Sequence, residues 1–238
     1  MKKLVAANWK MHPSTYEEAR ALARAAESAQ ASSVELVLFA PFVYLQKLAE
    51  EFPHLLWGAQ DAFYEKEGPY TGEISMSMLR DIGVSYILVG HSERRAFFHE
   101  TDESVSRKAR AALERGFRII VAIGEKKHGA DRDELIASLL ASTADIAEAD
   151  TARLSIAYEP IWSISTNTTG ETATPQEVEK TASLLSSALP VPYLYGGSVT
   201  GENVASFLAV PGVSGVLVGN ASLHPEEFVR IIAAASSS

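Results

Sequence analysis

The chain contains no cysteine. That excludes disulfides, thiolate metal sites and thiol nucleophiles, and leaves the redox compartment open. It also has no apolar run of the ~18–20 residues that a bilayer-spanning helix needs. The basic start, Met1-Lys2-Lys3-Leu4, leads into no apolar region followed by a cleavage site. The expectation is a cytoplasmic protein with no membrane partner. Positive charge is scarce, with 21 Lys and Arg against 30 Asp and Glu and a net charge of -9. Such a surface argues against nucleic acid as a partner. An anionic ligand would need a local positive site set against the overall charge. The six histidines show no metal-ligand spacing, and no Ser-His-Asp arrangement is legible. No metal is expected. Linkers, repeats and low-complexity segments are likewise missing, apart from an Ala-Ala-Ala-Ser-Ser-Ser run at the end.

What is present is an alternation. Of 238 residues, 47% are hydrophobic and 21% charged, which is ordinary for a globular protein with a large core. Short runs rich in Val, Ile and Leu read as strands over residues 4–9, 35–40, 55–60, 86–90, 118–123, 154–159, 192–195 and 215–219. Amphipathic segments read as helices over 14–30, 44–51, 75–82, 103–115, 131–147, 175–188, 201–208 and 225–234. Ser14 and Glu17 suggest a capping box for the first helix, and Gly116 a C′ residue for the fourth. Strand then helix, eight times without a composition break, predicts an α/β fold, a single (β/α)8 barrel domain over residues 1–238. An open doubly wound sheet is the alternative. It is disfavoured because no G-x-G-x-x-G follows the first strand.

In such barrels the reactive groups sit at the C-terminal ends of the strands. Asn8 and Lys10 stand at the end of strand 1, where alternation places them on one face. His91 follows strand 4, and Ser-Glu93-Arg-Arg after it can open a helical turn whose positive end disfavours imidazolium. Glu159 ends strand 6, and Pro160 keeps it extended. A loop without helical or strand period follows, at about 161–173, ending at an N-cap Thr174 with Pro175 and Glu177 behind it. Loops this long in a compact domain serve as lids, binding loops or disordered segments. Tyr195-Gly-Gly-Ser198 and Gly219-Asn220 follow strands 7 and 8, where barrels often bind phosphate through backbone N–H groups. There glycine allows close approach and positive φ. A second long segment, about 61–75, carries Tyr70 at its tip and reads as either an internal strut or a contact for a partner subunit. Each of these features alone also has an ordinary structural reading: a solvated lysine, a satisfied histidine, a turn.

Taken together they carry a resemblance. Asn8-Trp-Lys10, Gly58-Ala-Gln-Asp, Tyr70-Thr-Gly-Glu73, Gly90-His-Ser-Glu-Arg-Arg95, Ala157-Tyr-Glu-Pro160, Tyr195-Gly-Gly-Ser198 and Gly219-x-Ala-Ser-Leu223 fall in order along essentially the whole chain. They resemble the triosephosphate isomerase family. That resemblance implies a TIM barrel that interconverts dihydroxyacetone phosphate and glyceraldehyde 3-phosphate through an enediolate, with no cofactor. It implies Glu159 as base, His91 as neutral electrophile, and Lys10 and Asn8 on the substrate oxygens and phosphate, with Glu93 in support. Ser165, Ser198, Gly219 and Asn220 would hold the phosphate. Thr71 would cross a homodimer interface towards Lys10 and His91 of the partner subunit.

Several positions depart from the family pattern. The lid reads Pro160-Ile-Trp-Ser-Ile-Ser-Thr-Asn, with Ser165 in place of a glycine and Thr174-Pro175 about three residues late. Asn220 replaces the second glycine after strand 8, a substitution expected to be tolerated because Asn adopts the left-handed conformation readily. Ala122 stands where many relatives carry cysteine. Two other readings remain open: a barrel that binds a phosphorylated ligand without turnover, and an isomerase of a different sugar phosphate.

Overall fold

A computed structural model describes residues 2–125, 127–129, 132–163 and 172–237 of the chain. The strands β1 (Lys3–Asn8), β2 (Val34–Ala40), β3 (Leu56–Ala59), β4 (Tyr86–Val89), β5 (Arg118–Glu125), β6 (Leu154–Pro160), β7 (Tyr193–Tyr195) and β8 (Val213–Val218) are parallel. They run in chain order around a closed barrel, and β8 pairs back onto β1. The expected (β/α)8 barrel is therefore what this sequence forms. None of the described helices is long and apolar enough to cross a membrane.

Strand parity explains the core. Leu4, Ala6, Val37, Phe39, Tyr86, Leu88, Ile120, Ala122, Ala157, Leu194 and Leu217 form one buried cluster inside the barrel. The intervening residues, such as Val5, Leu38, Val121, Ile156 and Val216, belong to a second, larger cluster beneath the helices. Both faces are buried, which is why the strands read as continuous apolar runs rather than as alternating ones. Each buried Leu or Phe contributes roughly 1.5–3 kcal/mol. Phe39 fills the interior at the level of Gly58, where a Cβ would stand 2.4 Å from its ring. Tyr86 meets Phe39 edge-on at 6.4 Å between ring centroids, and its hydroxyl donates to Glu35 Oε1 at 2.6 Å.

The helices are α1 (Tyr16–Ala29), α2 (Phe42–Glu51), α3 (Met76–Asp81), α4 (Ser92–Phe97), α5 (Asp102–Glu114), α6 (Arg132–Ser142), α7 (Pro175–Ala188), α8 (Val204–Leu208) and α9 (Pro225–Ser236). The capping box of α1 is Thr15 with Glu18, one residue later than Ser14 and Glu17 suggested. Both pairs satisfy the same spacing, and Thr15 has the extended backbone that a cap requires. Thr174 and Glu177 form the expected box at α7, and Gly116 takes φ +77 directly after the C-cap of α5. Helix α6 stops at Ser142, five residues before the sequence reading ended it; a 3-10 turn at Glu148–Arg153 completes the connection to β6.

Candidate active site

The interior parity continues into the barrel mouth. After Ala6 the next inward position on β1 is Asn8, and after Ala157 on β6 it is Glu159; both are buried. After Ala122, Leu194 and Leu217 the next positions are Gly124, Gly196 and Gly219. Polar residues and glycines thus replace aliphatic ones where the core opens. Above them lies a cavity of about 120 Å³ lined by Asn8, Lys10, His91 and Glu159 on one side. Gly197, Ser198, Gly219 and Asn220 line the other side. The sequence-expected residues from strands 1, 4, 6, 7 and 8 therefore converge on one space.

Lys10 reaches that space by a different route from the expected one. Strand β1 ends at Asn8, and Lys10 adopts a left-handed φ of 54°, so strand alternation does not set its direction. A lysine in that region carries strain that its surroundings must hold. Its N–H donates to Asn8 Oδ1 at 3.0 Å, and its carbonyl accepts from Gln60 Nε2 at 2.8 Å. Lys10 Nζ donates to Glu93 Oε1 at 2.6 Å. A Cβ at Gly219 would lie 3.4 Å from Lys10 Cε, so the stem spans towards the loop after β8. Glu93 does not line the cavity; it stands behind Lys10, with Oε2 3.7 Å from His91 Nδ1.

His91 is the N-cap of α4, and its Nδ1 accepts the Glu93 N–H at 3.2 Å. An accepting Nδ1 leaves the ring proton on Nε2, which stands 3.1 Å from Glu159 Oε1. Glu159 Oε2 accepts from the Ser92 N–H at 2.9 Å. Burial alone would raise the Glu159 pKa; the imidazole, the Ser92 N–H and Lys10 outweigh it and hold the carboxyl below its usual range. Burial lowers the His91 pKa, and the adjacent Glu159 carboxylate, with help from Glu93, reverses that and leaves it raised. The helix end therefore acts as expected on Nδ1, but Glu159, stowed against Nε2, dominates the ring's proton affinity. A doubly protonated ring would have to give up the Glu93 N–H bond.

Two glycines of the site, Gly196 and Gly197, serve space rather than conformation. Gly196, Gly197 and Gly219 are absent from the positive-φ residues, against the sequence expectation. A Cβ at Gly197 would stand 2.2 Å from the Tyr195 hydroxyl, and one at Gly196 would stand 3.1 Å from Glu159 Cγ. Asn220 likewise has no positive φ and begins a 3-10 turn, Asn220–Leu223. It is accommodated because the position needs no left-handed residue. Ala122 packs inside the barrel core, fully buried.

The two ends of the long loop after β6 are joined. Ser163 Oγ accepts from the Ala173 N–H at 2.8 Å, and Ser198 Oγ donates to the Ser163 carbonyl at 2.7 Å. Trp162 stacks on His128 with ring centroids 4.1 Å apart. Ser165 lies outside the described residues. The segment after β3 folds back on itself, with Phe63 bridged to Ser75, stacked with Tyr64 and packed at a tilt against Tyr70. Thr71 is exposed at its tip. Two further residues shape the site without a role assigned from sequence: Gln60, read only as part of the Gly58-Ala-Gln-Asp motif, whose amide also donates to Phe39 O at 2.9 Å, and Gly124. For both, the signal was a polar or small residue at the next inward position of a strand.

A barrel whose mouth gathers a buried carboxylate, an imidazole on a helix end, a lysine and two glycine-containing turns has the layout of a (β/α)8 enzyme. A sequence profile of triosephosphate isomerase matches residues 3–235. The chain is 36% identical to the triosephosphate isomerase of Caldanaerobacter subterraneus subsp. tengcongensis, over 96% of this chain and 98% of the relative. It is 41% identical to that of Xanthomonas euvesicatoria pv. vesicatoria, with 99% of both chains covered. For the enzyme of Bordetella pertussis the figures are 40%, 98% and 97%. The chain belongs to the triosephosphate isomerase family, and it is an isomerase.

Proposed function

We propose that the protein interconverts dihydroxyacetone phosphate and D-glyceraldehyde 3-phosphate without a cofactor. The observation that carries this reading is the contact between Glu159 and His91 at 3.1 Å, in a cavity that Lys10 also lines. A pure binding site has no need of a buried base paired with a proton donor. The trioses differ by one proton moved between adjacent carbons and one moved between their oxygens. Glu159 takes the proton from the carbon beside the carbonyl, and His91 Nε2–H polarises that carbonyl and protonates its oxygen as charge develops. Glu159 returns its proton to the neighbouring carbon, and His91 recovers one from the other hydroxyl. Lys10 and Asn8 stabilise the negative oxygens, and Glu93 orients Lys10.

Substrate has to displace Glu159 from His91, because the donor it needs is occupied by the carboxylate. That displacement tunes both groups. A buried carboxylate that loses the imidazole and the Ser92 N–H becomes more basic, and a buried imidazole that loses its carboxylate favours the neutral form. The substrate phosphate binds to backbone N–H groups near Ser198, Gly219 and Asn220, with Ser165 contributing from the lid at about 161–173. Its binding energy, remote from the reacting carbons, drives lid closure and water exclusion.

The active form is a homodimer joined through the loop at about 61–75, with Thr71 bracing Lys10 and His91 of the partner subunit. Supporting this, Met11, Phe42, Val43, Tyr70, Met78, Phe97 and Phe98 are exposed on segments that follow β1 to β4. Leu140 and Val229 are the other exposed large apolar residues among those described. Large apolar side chains exposed on successive segments are what a contact surface would cover. Sedimentation velocity tests the dimer, and a monomeric species with full activity would refute it. Cytoplasmic location accompanies this substrate and is tested by fractionation of the producing cell. For the reaction, a coupled assay is run on each triose. A folded protein that turns over neither would refute the reading, and competition by longer sugar phosphates would redirect it.

A further inference from the structure

We infer that Arg95, acting with Glu100, is a positioning residue that sets His91 through the peptide groups on either side of Gly90. The inference rests on the proposed role of His91. Gly90 is the last residue before His91 and has φ +73°, so only a residue without Cβ sits there at ease. The site is also crowded: a Cβ would stand 2.8 Å from Ala122 O and 2.9 Å from Arg95 Nη2. The N–H of Gly90 donates to Glu100 Oε2 at 2.9 Å, and its carbonyl accepts from Arg95 Nε at 2.7 Å. One peptide plane on each side of the glycine Cα is therefore held by an ionised side chain. A hinge that could rotate freely is pinned at both ends, and the next residue is the imidazole.

Both clamps are rooted away from the cavity. Arg95 Nη1 donates to Asp102 Oδ1 at 2.5 Å, and Nη2 donates to Ser142 Oγ at 3.0 Å. Asp102 in turn accepts from Ser138 at 2.9 Å and from Ser142 at 2.7 Å. These bonds span α4, α5 and α6. Glu100 Oε1 accepts from Lys108 Nζ at 2.5 Å, and Lys108 also donates to Asp61 at 2.7 Å. Arg94 closes the group on Asp61 at 2.7 Å. Neither Arg95 nor Glu100 lines the cavity, so a substitution at either reaches catalysis through the backbone, chiefly the two peptides that carry His91, with a longer bond from Arg95 Nη2 to Ala122 O at 3.3 Å on β5. The planar guanidinium serves four acceptors from one fork, Gly90 O, Asp102, Ser142 and Ala122 O, which an ammonium group has no geometry to match.

The test is Arg95→Lys in the full-length protein, with wild type assayed alongside. Wild type without turnover refutes the proposed function and leaves the clamp to be judged by NMR alone. With active wild type, kcat of Arg95→Lys is expected to fall by about 10- to 100-fold, because a displacement near 1 Å has that effect. KM and the dissociation constant of inorganic phosphate, set by the loops after β7 and β8, stay within about two-fold. The ¹⁵N spectrum of His91 is expected to show a changed Nδ1 environment, which loss of stability alone would not cause. In Arg95→Ala, added guanidinium is expected to restore part of the lost kcat. Should Arg95→Lys not fold, Asp102→Asn, which slackens the guanidinium anchor, is expected to show the same split at a few-fold. A folded variant with kcat within two-fold of wild type and an unchanged His91 spectrum overturns the inference.

Discussion

Gly124→Ala tests whether the barrel itself places the base. Gly124 pairs with Glu159 across β5 and β6, and a Cβ there would lie 2.0 Å from the Glu159 carbonyl oxygen and 3.1 Å from its Cβ. Since Cβ contacts below 3.0 Å are essentially never seen, the strands must part by about 1 Å at this point. Gly124 has no positive φ, so the effect is contact and not backbone strain. Overpacking of this kind costs roughly 1–3 kcal/mol in stability. The same shift carries the carboxylate out of register with His91 and the substrate carbon, and ~1 Å is enough for about a 10²-fold loss. The assay measures kcat and KM in both directions, together with inorganic phosphate affinity and a urea midpoint. The expected result is kcat down about 100-fold with phosphate affinity retained. Gly83→Ala is the control: it has φ +82° and nothing near its Cβ, so it loses roughly 1–2 kcal/mol of stability with kcat unchanged. A Gly124→Ala protein, fully folded and with kcat within two-fold of wild type, would refute the placement argument.

Three further outcomes follow from the same geometry. Glu159→Asp draws the carboxylate back by about one methylene and is expected to lower kcat about 10²-fold with the fold intact by circular dichroism; a near-native rate excludes Glu159 as base. Glu159→Gln removes the carboxylate that raises the His91 pKa and leaves burial, which lowers it, so the ¹⁵N titration of His91 should move to lower pH; an unchanged titration would show that the Glu159 charge does not govern the ring. Tyr86→Phe, at the end of the barrel opposite the cavity, removes the bond to Glu35 and is expected to cost about 1.5 kcal/mol in urea denaturation without altering kcat, and a catalytic effect would contradict its placement.

The Glu159–His91 pair also fixes the sense of pH dependence. Glu159, with its pKa depressed in the fold, contributes stability above the ordinary carboxylate range and loses it as pH falls through the folded value. His91, with its pKa raised, contributes stability below about pH 6.5 and loses it as pH rises through its folded value. Glu159→Gln should therefore weaken both dependences in a denaturation series across pH.

The elements themselves depend on short-range patterns, and those were legible in the residues. Short continuous apolar runs marked all eight strands, and Thr174-Pro175-Gln176-Glu177 marked the start of α7, because caps and short apolar runs are local signals that act within a few residues. Strand-end position together with residue type was enough to select Asn8, Lys10, His91, Glu159, Ser198, Gly219 and Asn220 for one cavity. Other features lay beyond it. The Thr15 cap won over Ser14 by backbone angle, and Lys10 left its strand for a left-handed turn held by Gln60, fifty residues away. Gly124, Gly196 and Gly197 proved to be matters of clearance, which is set only once the chain is folded. The ionisation of His91 and Glu159 is settled by their contact across 68 residues of chain, since burial and charge pairing belong to the folded state. The residues thus determined which groups would be available and at which end of the barrel. Only closure of the sheet decided which of them touch, because long-range contacts depend on the register and twist that all eight strands adopt together.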